Sequence, residues 1–459
     1  GVEMEEGDAK EIHRFLKRFD PDVVLSDGGD AFLLPFLFRM AQRQKIAIPW
    51  DREPYPARRP ARPRGYSYFS YGRTCYKAPA HLFFGRWHID RQNSFLHRES
   101  GLEGLLELAR MAKVPVQRMA RTSPGTAITS MQLDRAFQEG ILVPWRKGEP
   151  ERFKTAWELL IADKGGLVFQ PRLGIFKDVA EIDFTSMYPT MMAIHNISPE
   201  TVLCKCCENH RVPEVGYSIC EKREGIVPRT LKPVLARRAL LKKMAKGEDL
   251  SPGGGGRAER GREEETGIEK RRETCNRKQA ALKWMLVTSF GYLGYRNARF
   301  GRIEAHEAVT AFGREKLLTS KEVCEEEGFE LLHALTDSLW IRKEGLNEEA
   351  VLELCRKISD VTGVSMGLEG IYRWVAFLPS KRNPTSPVAS RYFGVFRNGK
   401  IKARGLSFRR SDTPPLIREA QLRMVEILGG AETIEACRSR IPRVLELLLE
   451  YHLLLGNGH

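Results

Sequence analysis

The sequence lacks the features that mark membrane proteins and disulfide-stabilised secreted proteins. No apolar run approaches the roughly 20 residues that a helix needs to cross a bilayer, and no signal peptide opens the chain. The nine cysteines are irregularly spaced, which is not the pattern of a disulfide framework. We therefore expect a protein of the reducing cytoplasm that has no membrane partner.

Acidic residues are also fewer than basic residues. The chain has 59 Asp and Glu residues against 74 Lys and Arg residues, a net charge of +15. Such an excess favours a polyanionic partner, most commonly nucleic acid; the alternative is a basic enzyme with no such partner. Because 459 residues are too many for a single hydrophobic core, we expect several domains.

Two short stretches have the pattern of strands that carry catalytic carboxylates. Residues 179–184 are mostly apolar, which predicts a buried strand with Asp183 at its end, and Tyr188 follows at the start of a helical pattern. Far downstream, residues 329–341 predict two strands joined by a tight polar turn that carries Asp337. Two aspartates on adjacent strands can hold a pair of divalent ions about 3.5–4 Å apart for phosphoryl transfer.

These stretches resemble two sequence motifs of family B DNA polymerases. Residues 183–190, D-F-T-S-M-Y-P-T, resemble motif A, D-x-x-S-L-Y-P-S, and residues 333–338, H-A-L-T-D-S, resemble motif C, Y-G-D-T-D-S. The resemblance implies a mixed α+β fold shaped like a right hand, with an antiparallel-sheet palm, helical-hairpin fingers and a partial helical thumb. The substitutions are similar to those of the divergent, exonuclease-deficient branch found in archaea and some bacteria.

The resemblance also divides the chain into domains. We expect a partial, inactivated 3′–5′ exonuclease-like (RNase H-like) domain at 1–115, palm at 116–228 and 291–415, fingers at 229–290 and a partial thumb at 416–459. The chain opens inside a helical pattern, so we expect part of the first domain to be missing. Gly28 and Leu33 stand where the second exonuclease motif has asparagine and aspartate. A two-metal nuclease needs several carboxylates, so we expect no proofreading, and we expect Asp27 and Asp30 to be solvated turn residues.

The resemblance assigns roles to the residues around the two aspartates. Asp183 and Asp337 are the expected catalytic residues. With the backbone carbonyl of Phe184 they are expected to hold two Mg²⁺ ions, for which Mn²⁺ is a substitute. Leu335 replaces the first aspartate of motif C, which should weaken the local electrostatics without emptying the metal site. The expected nucleotide-binding residues here are Ser186, Met187 and Tyr188, whose ring would exclude a 2′-hydroxyl.

The segment 229–290 is basic, and its pattern predicts two helices joined by a glycine-rich tip at 248–261. The second helix resembles motif B, K-x-x-x-N-S-x-Y-G, with Lys283 retained and with Val287 and Phe290 in place of its asparagine and tyrosine. A basic surface hairpin without a ligand is the alternative. The resemblance implies that one face of each helix binds the nucleotide: Arg238 and Lys242 on the first, Lys283, Val287 and Phe290 on the second.

Basic residues alternate after Gly399, which predicts a strand with one basic face. Nearby, Arg391 and Tyr392 resemble the end of the K-K-R-Y region that holds the primer–template duplex, with its lysines replaced. The partners implied are primer–template DNA, dNTPs and accessory replication or repair proteins, in the cytoplasm and associated with the nucleoid. The expected DNA-binding residues are Thr336, Arg391, Tyr392, Lys400, Lys402 and Arg404.

A group of cysteines and one histidine follows the motif A helix: Cys204, Cys206, Cys207, His210 and Cys220. Thiolate and imidazole ligands at short spacing can complete a tetrahedral zinc site, although the spacing is not that of paired C-x-x-C knuckles. The alternative is a set of reduced cysteines in a palm loop. We expect any metal bound here to be structural and not catalytic.

The expected activity is DNA-templated addition of dNTPs to a primer 3′ end, without proofreading, in a role such as repair or lesion bypass. The alternative is a catalytically weak or inactive polymerase-like scaffold that binds primer–template DNA. Retention of Asp183, Asp337 and Tyr188 favours the enzyme. A nuclease is disfavoured, because the exonuclease carboxylates are replaced.

Overall fold

The computed structural model describes residues 9–53, 65–70, 73–145, 151–162, 164–207, 210–247, 262–410 and 412–456. The chain forms two compact units. Unit 1 consists of Gly1–Glu149 and Gly225–Arg302, and unit 2 of Pro150–Glu224 and Ile303–His459. Within the described ranges, no helix has the length and apolarity needed to cross a membrane. The glycine-rich tip expected at 248–261 lies outside the described residues.

Helices and strands alternate along the chain, which confirms the expected mixed fold. The helices are α1 (Ala9–Phe19), α2 (Leu34–Arg43), α3 (Phe95–Ala112), α4 (Val116–Ala120), α5 (Pro124–Gln138), α6 (Ala156–Ala162), α7 (Met187–Ile194), α8 (Ile226–Lys246), α9 (Arg262–Leu293), α10 (Ile303–Glu326), α11 (Glu348–Thr362), α12 (Pro415–Gly429), α13 (Ile434–Ser439) and α14 (Ile441–Gly456). The strands are β1 (Val23–Ser26), β2 (Tyr66–Ser70), β3 (Arg73–Lys77), β4 (Trp87–Asp90), β5 (Val168–Phe169), β6 (Gly174–Phe176), β7 (Val179–Phe184), β8 (Glu330–Leu335), β9 (Ser338–Arg342), β10 (Met366–Pro379), β11 (Pro387–Phe396) and β12 (Ile401–Arg404).

Unit 1 combines a two-stranded parallel sheet with packed helices. β1 and β4 pair in parallel, and β2 and β3 form a separate hairpin. Helices α3, α5, α8 and α9 pack together, and Leu105, Ile128 and Leu282 are almost completely buried. α4 and α5 therefore belong to this unit, whereas the division drawn from the sequence grouped residues 116–228 together. The reason is that α4 and α5 bury their apolar side chains against elements of unit 1: α4 against α3 and β4, and α5 against α3, α8 and α9.

A long antiparallel sheet organises unit 2. Its strand order is β12-β11-β10-β7-β9-β8-β5, and β6 pairs with β10 beside this path. Successive side chains of a strand point to opposite faces. In β7, the buried Ala180 and Ile182 therefore alternate with Glu181 and Asp183. α10 and α11 pack on each other and on strands β8 and β10 of this sheet.

The elements expected around the two aspartates are confirmed. β7 covers the predicted range, α7 begins beside Tyr188, and β8 and β9 form the predicted hairpin. The short strand β5 pairs with β8 at the edge of this sheet, because the β8–β9 hairpin already occupies the edge of β7 on that side.

Candidate active site

Backbone pairing brings the two predicted catalytic aspartates to the same end of the sheet. Asp183, near the end of β7, lies opposite Ser338, the first residue of β9. The next residue, Phe184, donates its backbone N–H to the carbonyl oxygen of Asp337 at 2.9 Å. Both aspartates are half-buried. The register of two neighbouring antiparallel strands therefore places a pair of carboxylates side by side at a partly open edge.

A serine hydroxyl and an unusual backbone geometry help to hold this edge. The Ser338 hydroxyl donates a 2.7 Å hydrogen bond to Asp183 Oδ1. Ser186 and Thr336 have left-handed backbones, with φ of 53° and 58°, and for a β-branched residue such as threonine this conformation is a genuine outlier. Strained residues of this kind cluster at functional sites, where the surrounding structure holds them in place.

Tyr188 is lodged against two glycines of unit 2. A Cβ atom at Gly313 on α10 would lie 2.9 Å from Tyr188 Cε1, and one at Gly166 would lie 3.2 Å from its hydroxyl oxygen. Burial and the negative charge of Asp337 raise the pKa of Tyr188 to about 12. The phenol is therefore neutral at physiological pH, and its ring has a fixed position close to the aspartates.

A second carboxylate on strand β7, that of Glu181, has a structural role. Glu181 is 2% exposed; its carboxylate accepts hydrogen bonds from Lys402 Nζ at 2.7 Å and from the Tyr372 hydroxyl at 2.6 Å. Burial raises the pKa of Glu181, although Lys402 and Tyr372 act in the opposite direction. This network connects β7, β10 and β12, and so stiffens the sheet two residues before Asp183.

The oxygen donors at the edge fit a magnesium site. Asp183, Asp337 and the carbonyl of Phe184 would supply hard oxygen ligands, which Mg²⁺ prefers. The two aspartates are partly exposed, which leaves room for water and phosphate oxygens, whereas Phe184 is buried. Two carboxylates at one edge of a sheet are a donor set of the kind that serves two-metal phosphoryl transfer.

A model of DNA polymerase family B matches residues 114–453, which is well over half of the 459 residues. The chain belongs to DNA polymerase family B. It is 31% identical to DNA polymerase 2 of Saccharolobus solfataricus over 356 residues, covering 78% of this chain and 49% of that protein. It is 25% identical to DNA polymerase 1 of Pyrococcus abyssi over 497 residues, covering 97% of this chain and 60% of that protein.

A solved structure gives the same picture of the fold. The family B DNA polymerase of the hyperthermophilic archaeon Pyrobaculum calidifontis matches with a TM-score of 0.64 at 24% sequence identity, covering 96% of this chain and 59% of that one. The chain therefore spans about half to three fifths of the length of these family B polymerases. The family resemblance drawn from motifs A and C is confirmed.

The family B motif B lies on α9 in unit 1. Lys283 and Val287 are exposed and Phe290 is partly exposed, so the side chains at spacings of four and seven share an open helix face, as predicted. On α8, Lys242 is partly exposed, but Arg238 is only 7% exposed. Arg238 lies in the buried stripe of α8, which the apolar pattern around it continues. It is not on the open face on which the sequence placed it.

The predicted DNA-binding residues fall into an exposed and a buried group. Lys400 and Arg404 are exposed, and Arg391 donates a hydrogen bond to the carbonyl of Pro379 at 2.8 Å. Tyr392 is 2% exposed and packs edge-on against Trp340, with ring centroids 5.2 Å apart. Tyr392 is thus a core residue, since it belongs with Phe396 of the same strand to the aromatic cluster of the sheet.

Three further predicted residues are held by their backbones or by partners. Thr336 is half-buried, and its N–H donates to the Leu167 carbonyl at 2.9 Å. Met187 is 2% exposed, so any contact with a nucleotide would come from its backbone. Lys402 is bound to Glu181, as described above, and does not extend freely from the sheet.

The cysteines behave as a group, but the histidine does not join them. Cys204, Cys206, Cys207 and Cys220 place their sulfur atoms within 4.8 Å of one another. His210 instead lies against His195 and Phe312, with ring centroids 6.0 and 5.9 Å apart. His210 belongs to this aromatic stack, so the predicted five-residue set is reduced to four thiols.

Several residues that shape the site carry weak signals in the sequence. Ser338 could have been found by counting the register of the predicted hairpin against β7, which places it opposite Asp183. Glu181 was visible as a lone carboxylate in an apolar strand. Gly166 and Gly313 carry no local signal, because their importance depends on the distant ring of Tyr188.

Proposed function

We propose that this chain is the polymerase part of a DNA-directed DNA polymerase that adds dNTPs to a primer 3′ end on a DNA template. The observation that carries the proposal is the pairing of β7 with β9, which presents Asp183 and Asp337 together at one edge of the sheet in a member of family B. The substrates are primer–template DNA and dNTPs.

In this proposal Asp183, Asp337 and the Phe184 carbonyl hold two Mg²⁺ ions, or Mn²⁺ in their place. The chemistry that these ions supply when bound is acidification of the primer hydroxyl and neutralisation of the charge on the triphosphate. The protein contributes positioning: Ser338 orients the Asp183 carboxylate, and the Phe184–Asp337 hydrogen bond fixes the spacing of the two strands. Leu335 lowers the local negative charge without removing either ligand.

Selection of the sugar is assigned to Tyr188. Its ring is buried on the sides that face Gly313 and Gly166 and cannot retreat without moving α10. A ring fixed in this way would clash with a 2′-hydroxyl, and such steric rejection discriminates against the larger substrate only. In unit 1, Lys242 and Lys283 would bind triphosphate oxygens as point charges, and Val287 and Phe290 would contact the nucleotide. Lys400 and Arg404 would contact the DNA backbone.

The proposed enzyme lacks proofreading and suits repair or lesion bypass. Gly28 and Leu33 replace two exonuclease residues, and Asp30, a remaining carboxylate, is bound by Arg121. Without an editing step every misinsertion persists, so accuracy depends on insertion alone. Accessory replication or repair proteins are the expected partners.

Primer extension by the purified protein with Mg²⁺ and all four dNTPs tests the proposal. Wild type should extend a primer according to the template, and Asp183→Ala should not, while its affinity for the duplex stays within a few-fold in fluorescence anisotropy. Asp360→Ala is the matched control, because it removes an exposed carboxylate from α11 in the same unit. Duplex binding without extension by wild type would favour the scaffold alternative.

A further inference from the structure

Four cysteine side chains converge in the loop that follows α7. The sulfur of Cys206 lies 3.7 Å from that of Cys220 and 3.8 Å from that of Cys207, and the Cys207 and Cys220 sulfurs are 3.9 Å apart. Cys204 completes the group, with all four sulfur atoms within 4.8 Å of one another. Cys207 and Cys220 are buried, Cys204 is partly exposed and Cys206 is exposed.

These distances match the edges of a zinc tetrahedron. With Zn–S bonds of about 2.3 Å, the sulfur atoms of a regular tetrahedral site lie about 3.8 Å apart. Three of the pairs have this separation already, so binding requires only a small inward movement of Cys204. The thiolates of an iron–sulfur cluster bind at the corners of a bulkier core and would lie further apart.

One backbone group is directed at the cysteine cluster. The N–H of Glu221 donates a hydrogen bond to Cys207 Sγ at 3.3 Å. Backbone N–H groups that donate to cysteine sulfur atoms are among the outer contacts that orient and tune metal ligands.

Very short strands close the loop around the cysteines. Val202 pairs with Ile219, and Arg211 pairs with Ser218. The Asn196 side chain donates to the carbonyl oxygens of Cys220 and Arg223 at 2.8 and 2.9 Å. Backbone hydrogen bonds from Leu203 to Ser218 and from Cys220 to Thr201 also close the loop. Apart from these isolated pairings the described part of the loop has no helix or longer strand, so a cross-link at the cysteines would add to its stability.

The same loop anchors α10, whose Gly313 supports Tyr188. Glu214 receives two charged hydrogen bonds from Arg314, at 3.1 and 3.0 Å, and Tyr217 donates to Glu307 at 2.8 Å. Arg314 is the immediate neighbour of Gly313. If the loop that contains Glu214 and Tyr217 is fixed, it holds α10 in the position where Gly313 packs against the Tyr188 ring.

We propose that Cys204, Cys206, Cys207 and Cys220 bind one Zn²⁺ ion as a tetrathiolate, and that this ion is a structural cross-link for residues 196–223. The site takes no part in phosphoryl transfer and goes beyond the proposed polymerase function. Its ligand class is a single thiophilic divalent cation. His210 is outside the ligand set.

Metal analysis of the wild-type protein is the first test. Protein purified under reducing conditions without chelator should contain about one Zn²⁺ per chain by mass spectrometry of the metal content. Replacement by Co²⁺ should give the intense visible absorption of a tetrahedral thiolate complex. Four freely reactive thiols without metal, a disulfide found by non-reducing peptide mapping, or an iron chromophore would each overturn the assignment.

Matched variants identify the ligands. Cys220→Ser and Cys206→Ser should lose nearly all of the zinc. His210→Ala and Cys437→Ser are the controls and should keep it. His210→Ala alters the same loop outside the thiol group, and Cys437→Ser alters a buried cysteine elsewhere in unit 2. If the serine variants fail to fold, a strong chelator on wild type provides the same test. Metal removal should speed amide exchange at 201–220 at least tenfold, and unchanged exchange would contradict a structural role.

Discussion

Two groups of aspartates, one in each unit, show how the same side chain can serve stability or chemistry. In unit 1, Asp30 and Asp90 lie in the core, 0% and 2% exposed. In unit 2, Asp183 and Asp337 are half-buried at the end of a sheet. Both pairs lie near the ends of strands, so their position in the secondary structure does not distinguish them. They differ in their burial and in their hydrogen-bond partners.

Each of the two carboxylates of unit 1 accepts several hydrogen bonds. Asp30 accepts from Arg121 Nε and Nη2 at 2.7 and 3.0 Å and from the His81 N–H at 2.8 Å. Asp90 accepts from the N–H groups of Gly28 and Asp30 at 3.0 and 2.8 Å. Burial works against ionisation of Asp30, but the Arg121 bonds and charge outweigh it and lower the pKa of this carboxyl. A metal ion would have to displace all of these partners.

The carboxylates of unit 2 are more accessible than those of unit 1. Asp183 accepts a 2.7 Å hydrogen bond from the Ser338 hydroxyl, and the partial exposure of both carboxylates gives water and phosphate a path to them. The comparison teaches that accessibility, and not position beside a strand end, separates a carboxylate that can take a ligand from one that is enclosed in the core.

The largest expected effect comes from removing charge without changing shape in unit 2. Asp337→Asn should lower single-turnover primer extension by about three orders of magnitude, because lost metal binding is worth several kcal/mol in the transition state. Its melting temperature should not fall. Ser338→Ala, which keeps both charges, should cost less than tenfold. Extension by Asp337→Asn within tenfold of wild type would show that the two aspartate groups do not differ as argued.

Much of this site was predictable, for physical reasons that differ between residues. The strand containing Asp183 and the hairpin containing Asp337 follow from short-range apolar patterning, which the fold preserved. Asp30 was expected to be a solvated turn residue and is fully buried; that prediction was wrong because its partner, Arg121, is 91 positions away. Asp27 in the same turn is exposed and pairs with Arg91, as a surface residue does.

The side-chain partners across the sheet could not be predicted from the sequence either. Lys402 alternates with other basic residues, so it was assigned to a DNA-facing row, but its amine is bound to Glu181. Arg238 has the helical spacing expected of a ligand-binding residue, yet it falls in the buried stripe of α8. Periodicity identifies the face of an element, whereas the partner of that face depends on tertiary packing.

The next effect in size is a loss of stability in unit 1. Asp30→Asn leaves Arg121 buried without its counter-charge, and breaking a buried ion pair costs about 3–5 kcal/mol. Hydrogen exchange of the β1 and β4 amides under mild denaturant should report the change. Asp27→Asn, in the exposed pair, should have little effect. Equal protection in the two variants would mean that the Asp30 cluster is not the structural centre of this sheet.

A smaller effect is expected where packing and chemistry meet in unit 2. Gly313→Ala places a Cβ atom 2.9 Å from the Tyr188 ring, so the ring or α10 must shift. We expect the preference for dNTPs over rNTPs to fall roughly tenfold, equivalent to about 1.4 kcal/mol, and Tyr188→Ala to lower it further. Gly267→Ala, at an exposed helical position of α9 with open space around the new Cβ atom, is the control for a glycine change without strain. An unaltered sugar preference in Gly313→Ala would show that the Tyr188 ring can move aside without loss of selectivity.

The smallest expected effect is a pH dependence of the stability of unit 1 that arises from a buried histidine. His88 is 0% exposed, with its Nε2 2.7 Å from the Ser26 hydroxyl and its Nδ1 2.7 Å from the His81 carbonyl oxygen. Burial lowers the pKa of His88, and the charge of Arg121 acts in the same direction, against the opposing charges of Asp30 and Asp90. The ring is therefore neutral in the folded protein.

The sign of this dependence follows from proton binding. An unfolded His88 takes up a proton near pH 6.5, so the stability that its neutral form contributes is complete above that pH and declines as the pH falls below it. One proton limits the slope to about 1.4 kcal/mol per pH unit. Protection of the β1 and β4 amides, corrected for intrinsic exchange, should fall from pH 7 to pH 5 in wild type and in His13→Gln, a control on α1, but much less in His88→Gln. Identical slopes in wild type and His88→Gln would assign the titration to another group and leave Asp30 and Arg121 alone as the stabilising pair.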